Sequence, residues 1–146
     1  MGQDERNYLS HRLFPNSFEE PFEITSPETA AYNCVAWAMH DSERWWEADE
    51  NYSWKEGVAL DNTISTFIQL FQQLGFSVCP DVTLEKSHEK ITLFSNGDGD
   101  CSHVARQLES GLWTSKLGVS YDVAHTLDAI EGGIYGKVVL IMKKVI

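Results

Sequence analysis

A change of hydrophobic period at Gly75 constrains this chain more than any other feature. Before it, Ile64, Phe67, Ile68, Phe71 and Leu74 recur at steps of three and four residues. That spacing lays one apolar stripe along an amphipathic helix over residues 61–75, with Asp61 or Asn62 as its cap and Gly75 as its stop. After Gly75 the period falls to two. Residues 76–79 read as a short strand ended by Pro80, and residues 90–95 alternate Ile91 and Leu93 against Lys90 and Thr92. The run Asn96-Gly97-Asp98-Gly99 closes that strand, and residues 101–108 and 112–117 then form a hairpin around Glu109-Ser110-Gly111. Residues 121–130 read as a second amphipathic helix with Val123, Leu127 and Ile130 inward. The continuous apolar run within residues 137–145 reads as a central strand.

Upstream of the stripe, Ser26-Pro27-Glu28-Thr29 carries a helix-start signal: a capping hydroxyl, proline at the first helical position and an early acid. A buried helix over residues 30–40 follows, its apolar side made by Cys34, Val35, Ala38 and Met39. Residues 41–57 form a polar loop rich in aromatics (Trp45, Trp46, Tyr52, Trp54), which reads as a rim around a site or a flap tucked onto the core. Pro15 and Pro21 break any period in residues 1–26, an irregular arm with Leu13, Phe14, Phe18, Phe22 and Ile24 as anchors. The fold expected is α+β: one domain over residues 27–146, with N-terminal helices packed on an antiparallel sheet.

Composition excludes some functions. The chain has 146 residues, enough for one core, and a net charge of −11, which repels nucleic acid and anionic membrane. Thirteen of its 22 acids lie in residues 1–61 beside four of its 11 bases, a solvated face or a surface for a basic partner. The run Val138-Val139-Leu140-Ile141-Met142 is far too short to span a bilayer, and the polar start carries no secretory signal. Cys34, Cys79 and Cys101 are odd in number and form no CxxC pair, which points to a reducing cytoplasm. Their spacing offers no structural zinc site, so neither a metal nor another cofactor is called for. Nothing in the sequence sets the oligomeric state.

Reactive chemistry centres on Cys34, in one of two registers. If Ser26 caps a single helix, Cys34 lies two turns in, where the helix dipole has faded. If Asn33 caps a fresh helix, Cys34 is its first residue and its own N–H can help line an oxyanion hole. A thiol nucleophile needs a base, and His103 opens the first strand of the hairpin. One hairpin register puts Thr114 and Lys116 on the His103 face, and a shift by one puts Ser115 there; Gln107 shares that face in either case. Ser115 and Gln107 are therefore the candidate orienters of the imidazole. Trp37 and Trp113 are candidates for substrate contact or for packing. Arg106 and Lys116 could bind a substrate carboxylate or pair with surface acids. Cys101 is a rival thiol, Asp122 and His125 read as a cap-and-face pair on the second helix, and His11, His40 and His88 have no evident partner.

The segments Tyr32-Asn33-Cys34-Val35-Ala36-Trp37-Ala38, Ser102-His103-Val104-Ala105-Arg106-Gln107 and Gly111-Leu112-Trp113-Thr114-Ser115-Lys116-Leu117-Gly118 resemble a bacterial domain family of unknown function. That family is similar to papain-like or NlpC-type cysteine peptidases. The resemblance runs from about Tyr32 to the end of the chain. It implies a papain-like (NlpC-type) domain with a Cys–His pair at Cys34 and His103 that acts on an amide bond, as a peptidase, amidase, deamidase or acyltransferase, on a protein or peptide-like substrate. The contrasting expectation is an acidic, immunity-like or adaptor binding module without turnover, using the aromatic loop and the acidic N-terminal half as its interface.

Overall fold

In the computed structural model, which describes residues 13–18, 20 and 22–146, seven strands pair into one antiparallel sheet. The chain runs through a 3-10 turn at Pro15–Phe18, strand β1 (Phe22–Ser26), helix α1 (Cys34–Ala38) and helix α2 (Ile64–Gln73). Strands β2 (Ser77–Cys79), β3 (His88–Ser95), β4 (His103–Gln107), β5 (Trp113–Lys116) and β6 (Asp122–His125) follow, then helix α3 (Leu127–Ile130) and strand β7 (Lys137–Val145). The order across the sheet is β1-β6-β5-β4-β3-β7-β2.

This is a β-rich fold, and it corrects the expected papain-like α+β domain with helices packed on a sheet: α1 and α3 are five and four residues long, and α2, with ten, is the only α-helix of more than two turns among the described residues. Two segments account for the difference. Residues 22–26 are extended and pair with β6, so the tail of the expected arm is an edge strand. Ser26 therefore starts no helix; tertiary bonds to Thr29 and Tyr32 hold the chain irregular until Asn33. Residues 122–125 form a strand paired on both sides, with β1 and β5, where a helix was expected. The Val123-to-Leu127 step fits a helix, but it fits equally a strand followed by one helical turn, and two ladders of backbone hydrogen bonds decide for the strand.

The other elements form close to where the sequence puts them. Thr63, rather than Asp61 or Asn62, caps α2 by accepting from the Thr66 N–H, and Gly75 leaves the helix at φ +97°. β7 lies inside the sheet, between β3 and β2, one strand in from the edge. Alternation along the strands separates two cores. Val35, Ala38, Phe67, Leu70, Phe71, Ile91, Leu93, Val104 and Met142 pack on one face beneath α1 and α2. Phe14, Phe94, Ala105, Trp113, Val123, Ala129 and Ile130 pack on the other. Phe14 is the deep anchor of the N-terminal segment, whereas Leu13 is exposed; His11 lies outside the described residues. Trp46 and Trp54 pack against the first core, so the aromatic loop is a flap rather than a rim. Among the described residues, no helix is long and apolar enough to cross a membrane.

Candidate functional site

Asn33 decides the register at Cys34. Its backbone is extended (φ −117°, ψ −173°), and its side-chain oxygen accepts from the Ala36 N–H at 3.2 Å, which makes it the cap and Cys34 the first residue of α1. The same side chain brackets the aromatic flap, accepting from the Trp46 N–H and donating to the Trp46 carbonyl. Because α1 has only five residues its dipole is weak, and the groups that matter are local amides. The N–H groups of Val104, Val35 and Cys34 itself face the sulfur and favour a thiolate. Burial outweighs them and pushes the thiol up, so the resting group is a neutral thiol.

The Val104 amide is free for this contact because the sheet splits there. β4 and β5 pair at Arg106↔Thr114 and Gln107↔Trp113 and then diverge: Val104 has no partner in β5, and Ser115 and Lys116 pair only with β6. Side chains bridge the split. His103 Nε2 lies 2.8 Å from Ser115 Oγ, Ser115 Oγ lies 2.7 Å from His125 Nε2, and His125 Nδ1 lies 2.8 Å from the Thr126 carbonyl. All three side chains are essentially fully buried.

The terminal carbonyl fixes every proton in this chain. A carbonyl only accepts, so His125 carries its proton on Nδ1 and presents Nε2 as an acceptor. Ser115 therefore donates to His125 and accepts from His103, whose proton sits on Nε2. His103 Nδ1 is left as a bare lone pair, buried and without a hydrogen-bond partner among the described residues. Burial drives both imidazoles to the neutral form: His125 falls to about 4, and His103, opposed also by His125, falls well below its usual range. Tyr135 stacks flat on the His103 ring at 4.0 Å and 3°, and Phe94 meets it edge-on.

The structure thus gathers His103 and Ser115 and adds His125, which the sequence reading placed on a helix. As a strand residue opposite Trp113, His125 shares a face with Ser115, and only the correct strand assignment reveals this. Cys34 meets β4 at the amide that follows His103, while the His103 ring packs on the opposite core from α1, and the two side chains share no hydrogen bond. Gln107 is not an orienter: it donates to the Val82 carbonyl at 2.9 Å.

The remaining expected contact residues are each engaged within the fold. Lys116 is fully buried and donates to the carbonyls of Thr29, Gly118 and Ser120 at 2.6–2.8 Å, which ties the approach to α1 to the β5–β6 turn. Trp113 is buried in the second core. Trp37 stacks on Tyr32 and donates to Thr114 at 2.9 Å. Asp122 accepts from Tyr32 and Ser26, so it caps nothing. Arg106 donates through Nε to the Trp37 carbonyl and lies over that ring. Cys101 donates weakly to the His103 carbonyl, and burial raises its thiol to about 12.

One thiol and two carboxylates, Cys79, Asp81 and Glu85, lie within 4.8 Å of one another. Lys90 Nζ already sits among them, 3.1 Å from Asp81 and 3.1 Å from Glu85, so a lysine ammonium neutralises the group in place of a metal ion.

The chain belongs to the family described as a domain of unknown function (DUF7689), whose model matches residues 23–143. Neither a curated protein nor a solved structure matches it.

Proposed function

We propose that this domain is a thiol hydrolase or acyltransferase of amide bonds, with Cys34 as nucleophile and His103 as base. The observation that carries the reading is the bare, buried Nδ1 of His103, whose tautomer is fixed through Ser115 and His125. An imidazole held this way is ready to take a proton at Nδ1 and has no acceptor role elsewhere. The sulfur lies beside the Val104 amide at the split between β4 and β5, and the proposed transfer brings it to Nδ1 through that split.

In the reaction, Cys34 Sγ attacks the carbonyl carbon as its proton passes to His103 Nδ1. The tetrahedral oxyanion is met by backbone N–H groups at the start of α1, and the proton then leaves with the amine as the carbon–nitrogen bond breaks. Water or a second amine releases the acyl group from the thioester. Because the resting thiol and imidazole are both neutral, proton transfer accompanies attack and no ion pair stands ready beforehand. The substrate class is a protein or peptide-like amide, and the three unpaired thiols suit a reducing cytoplasm.

Iodoacetamide labelling followed by peptide mass analysis tests the assignment. Cys34 should label faster than Cys79 and Cys101 at pH 7.5, and His103→Gln should slow Cys34 tenfold or more. Equal rates at the three thiols, together with no effect of His103→Gln, would remove the enzyme reading. A binding module is the second reading, and one observation favours it: a roomy, largely apolar cavity is lined by neither Cys34 nor His103.

A further inference from the structure

That cavity, of about 1070 Å³, opens beyond the carboxyl end of α1, away from Cys34. Its apolar walls include Met39, Trp46, Leu74, Phe76 and Leu84. Such a volume suits a small organic molecule rather than a few waters. Backbone strain is concentrated here. Among the described residues, the only non-glycine positions with positive φ are His40 (65°) and Ser87 (61°), and both line the cavity. Such conformations persist where surrounding structure holds them and gather at binding sites.

Charge decides what kind of molecule fits. Of the acids in the wall, Glu89 is engaged by His40 at 2.9 Å and Glu85 by Lys90 and Lys143 at 3.1 Å. Arg106, Lys86 and Lys144, also in the wall, form no ion pair among the described residues, and they face Glu109 and Glu89, whose His40 contact cancels its charge only when that imidazole is protonated. Within a chain of net charge −11 this wall is far less acidic than the rest of the surface. Arg106 is also the best prepared of the three. Its Nε bond to the Trp37 carbonyl and its seat over the Trp37 ring fix the guanidinium plane, and its terminal amino groups have no hydrogen-bond partner among the described residues. A planar, oriented fork with free donors matches a carboxylate.

We infer that this cavity binds a small amphipathic carboxylate, its acid group on Arg106 and its apolar body against Met39, Trp46, Leu74 and Phe76. The inference rests on the cavity alone and stands apart from the role proposed for Cys34.

Decanoate and 1-decanol, titrated by NMR into the full chain with isotope-labelled backbone amides, provide the test. Decanoate should shift amides of residues 39–46, 74–76 and 84–89, and decanol should bind at least tenfold more weakly. Arg106→Gln should weaken decanoate tenfold or more while leaving decanol unchanged, which also reports that the cavity remains formed. Leu84→Trp, at an exposed wall position, should weaken both. No decanoate shifts at these residues, equal binding of acid and alcohol, or equal decanoate affinity in wild type and Arg106→Gln would each overturn the inference.

Discussion

Acid should unfold this domain through two histidines, and the size of the effect follows from their burial. His125 falls from an ordinary value near 6.5 to about 4 in the folded state, and His103 falls well below its usual range. The unfolded chain therefore binds protons that the native state refuses, and stability rises with pH in that window. The contribution is complete above about pH 6.5 and is lost as pH falls toward the folded values. Between pH 7.5 and 5.5 each histidine removes on the order of 1 kcal/mol, or about 2–3 kcal/mol for the pair. Urea unfolding followed by tryptophan fluorescence at the two pH values measures the loss. Groups other than His125 cancel when wild type is compared with His125→Gln, which should lose about half as much of the pair's contribution. Identical pH dependence in the two proteins would mean that His125 titrates normally when folded, and the proton assignment along the chain would fail with it.

Further outcomes follow from single contacts. Ser115→Ala strands the His103 N–H and the His125 lone pair together, and should cost about 2–4 kcal/mol in urea unfolding while slowing Cys34 alkylation. Lys116→Met leaves three carbonyls short of a charged donor and should cost about 2–3 kcal/mol by the same measurement. Gly136→Ala should destabilise far more than Gly132→Ala in thermal unfolding. Both have φ near +80°, but a Cβ at Gly136 meets the Ser95 carbonyl oxygen at 2.1 Å, whereas one at Gly132 meets open space. Equal melting temperatures for the two variants would contradict the packing described at β3.

What the sequence made legible was local. The stripe from Ile64 to Leu74 and the hairpin from His103 to Lys116 carry strong periodic signals, and both elements form. Asn33 is a capping residue by its chemistry, but whether it capped depended on residues far away: Thr29 and Tyr32, just before it, are held by Lys116 and Asp122. The strand at residues 122–125 hid for a similar reason, since four residues hold too few steps to tell a period of two from one of 3.6. That error concealed His125, which reaches Ser115 only as a strand residue. Gln107 shows the reverse: face-sharing with His103 was read correctly, but the two are four residues apart on the strand, and the side chain bonds to Val82 instead. The proton chain itself depends on one carbonyl, that of Thr126, which no side-chain pattern announces.

In the proposed reaction His103 keeps Nδ1 bare for the Cys34 proton. Long-range proton–nitrogen NMR on imidazole-labelled protein reads it directly, in wild type and in Cys34→Ala. His103 should be protonated at Nε2 alone from pH 7.5 to 5.5, and removing the thiol should shift the Nδ1 resonance while leaving Nε2 in place. A proton on Nδ1, or an Nδ1 resonance indifferent to Cys34→Ala, would contradict it.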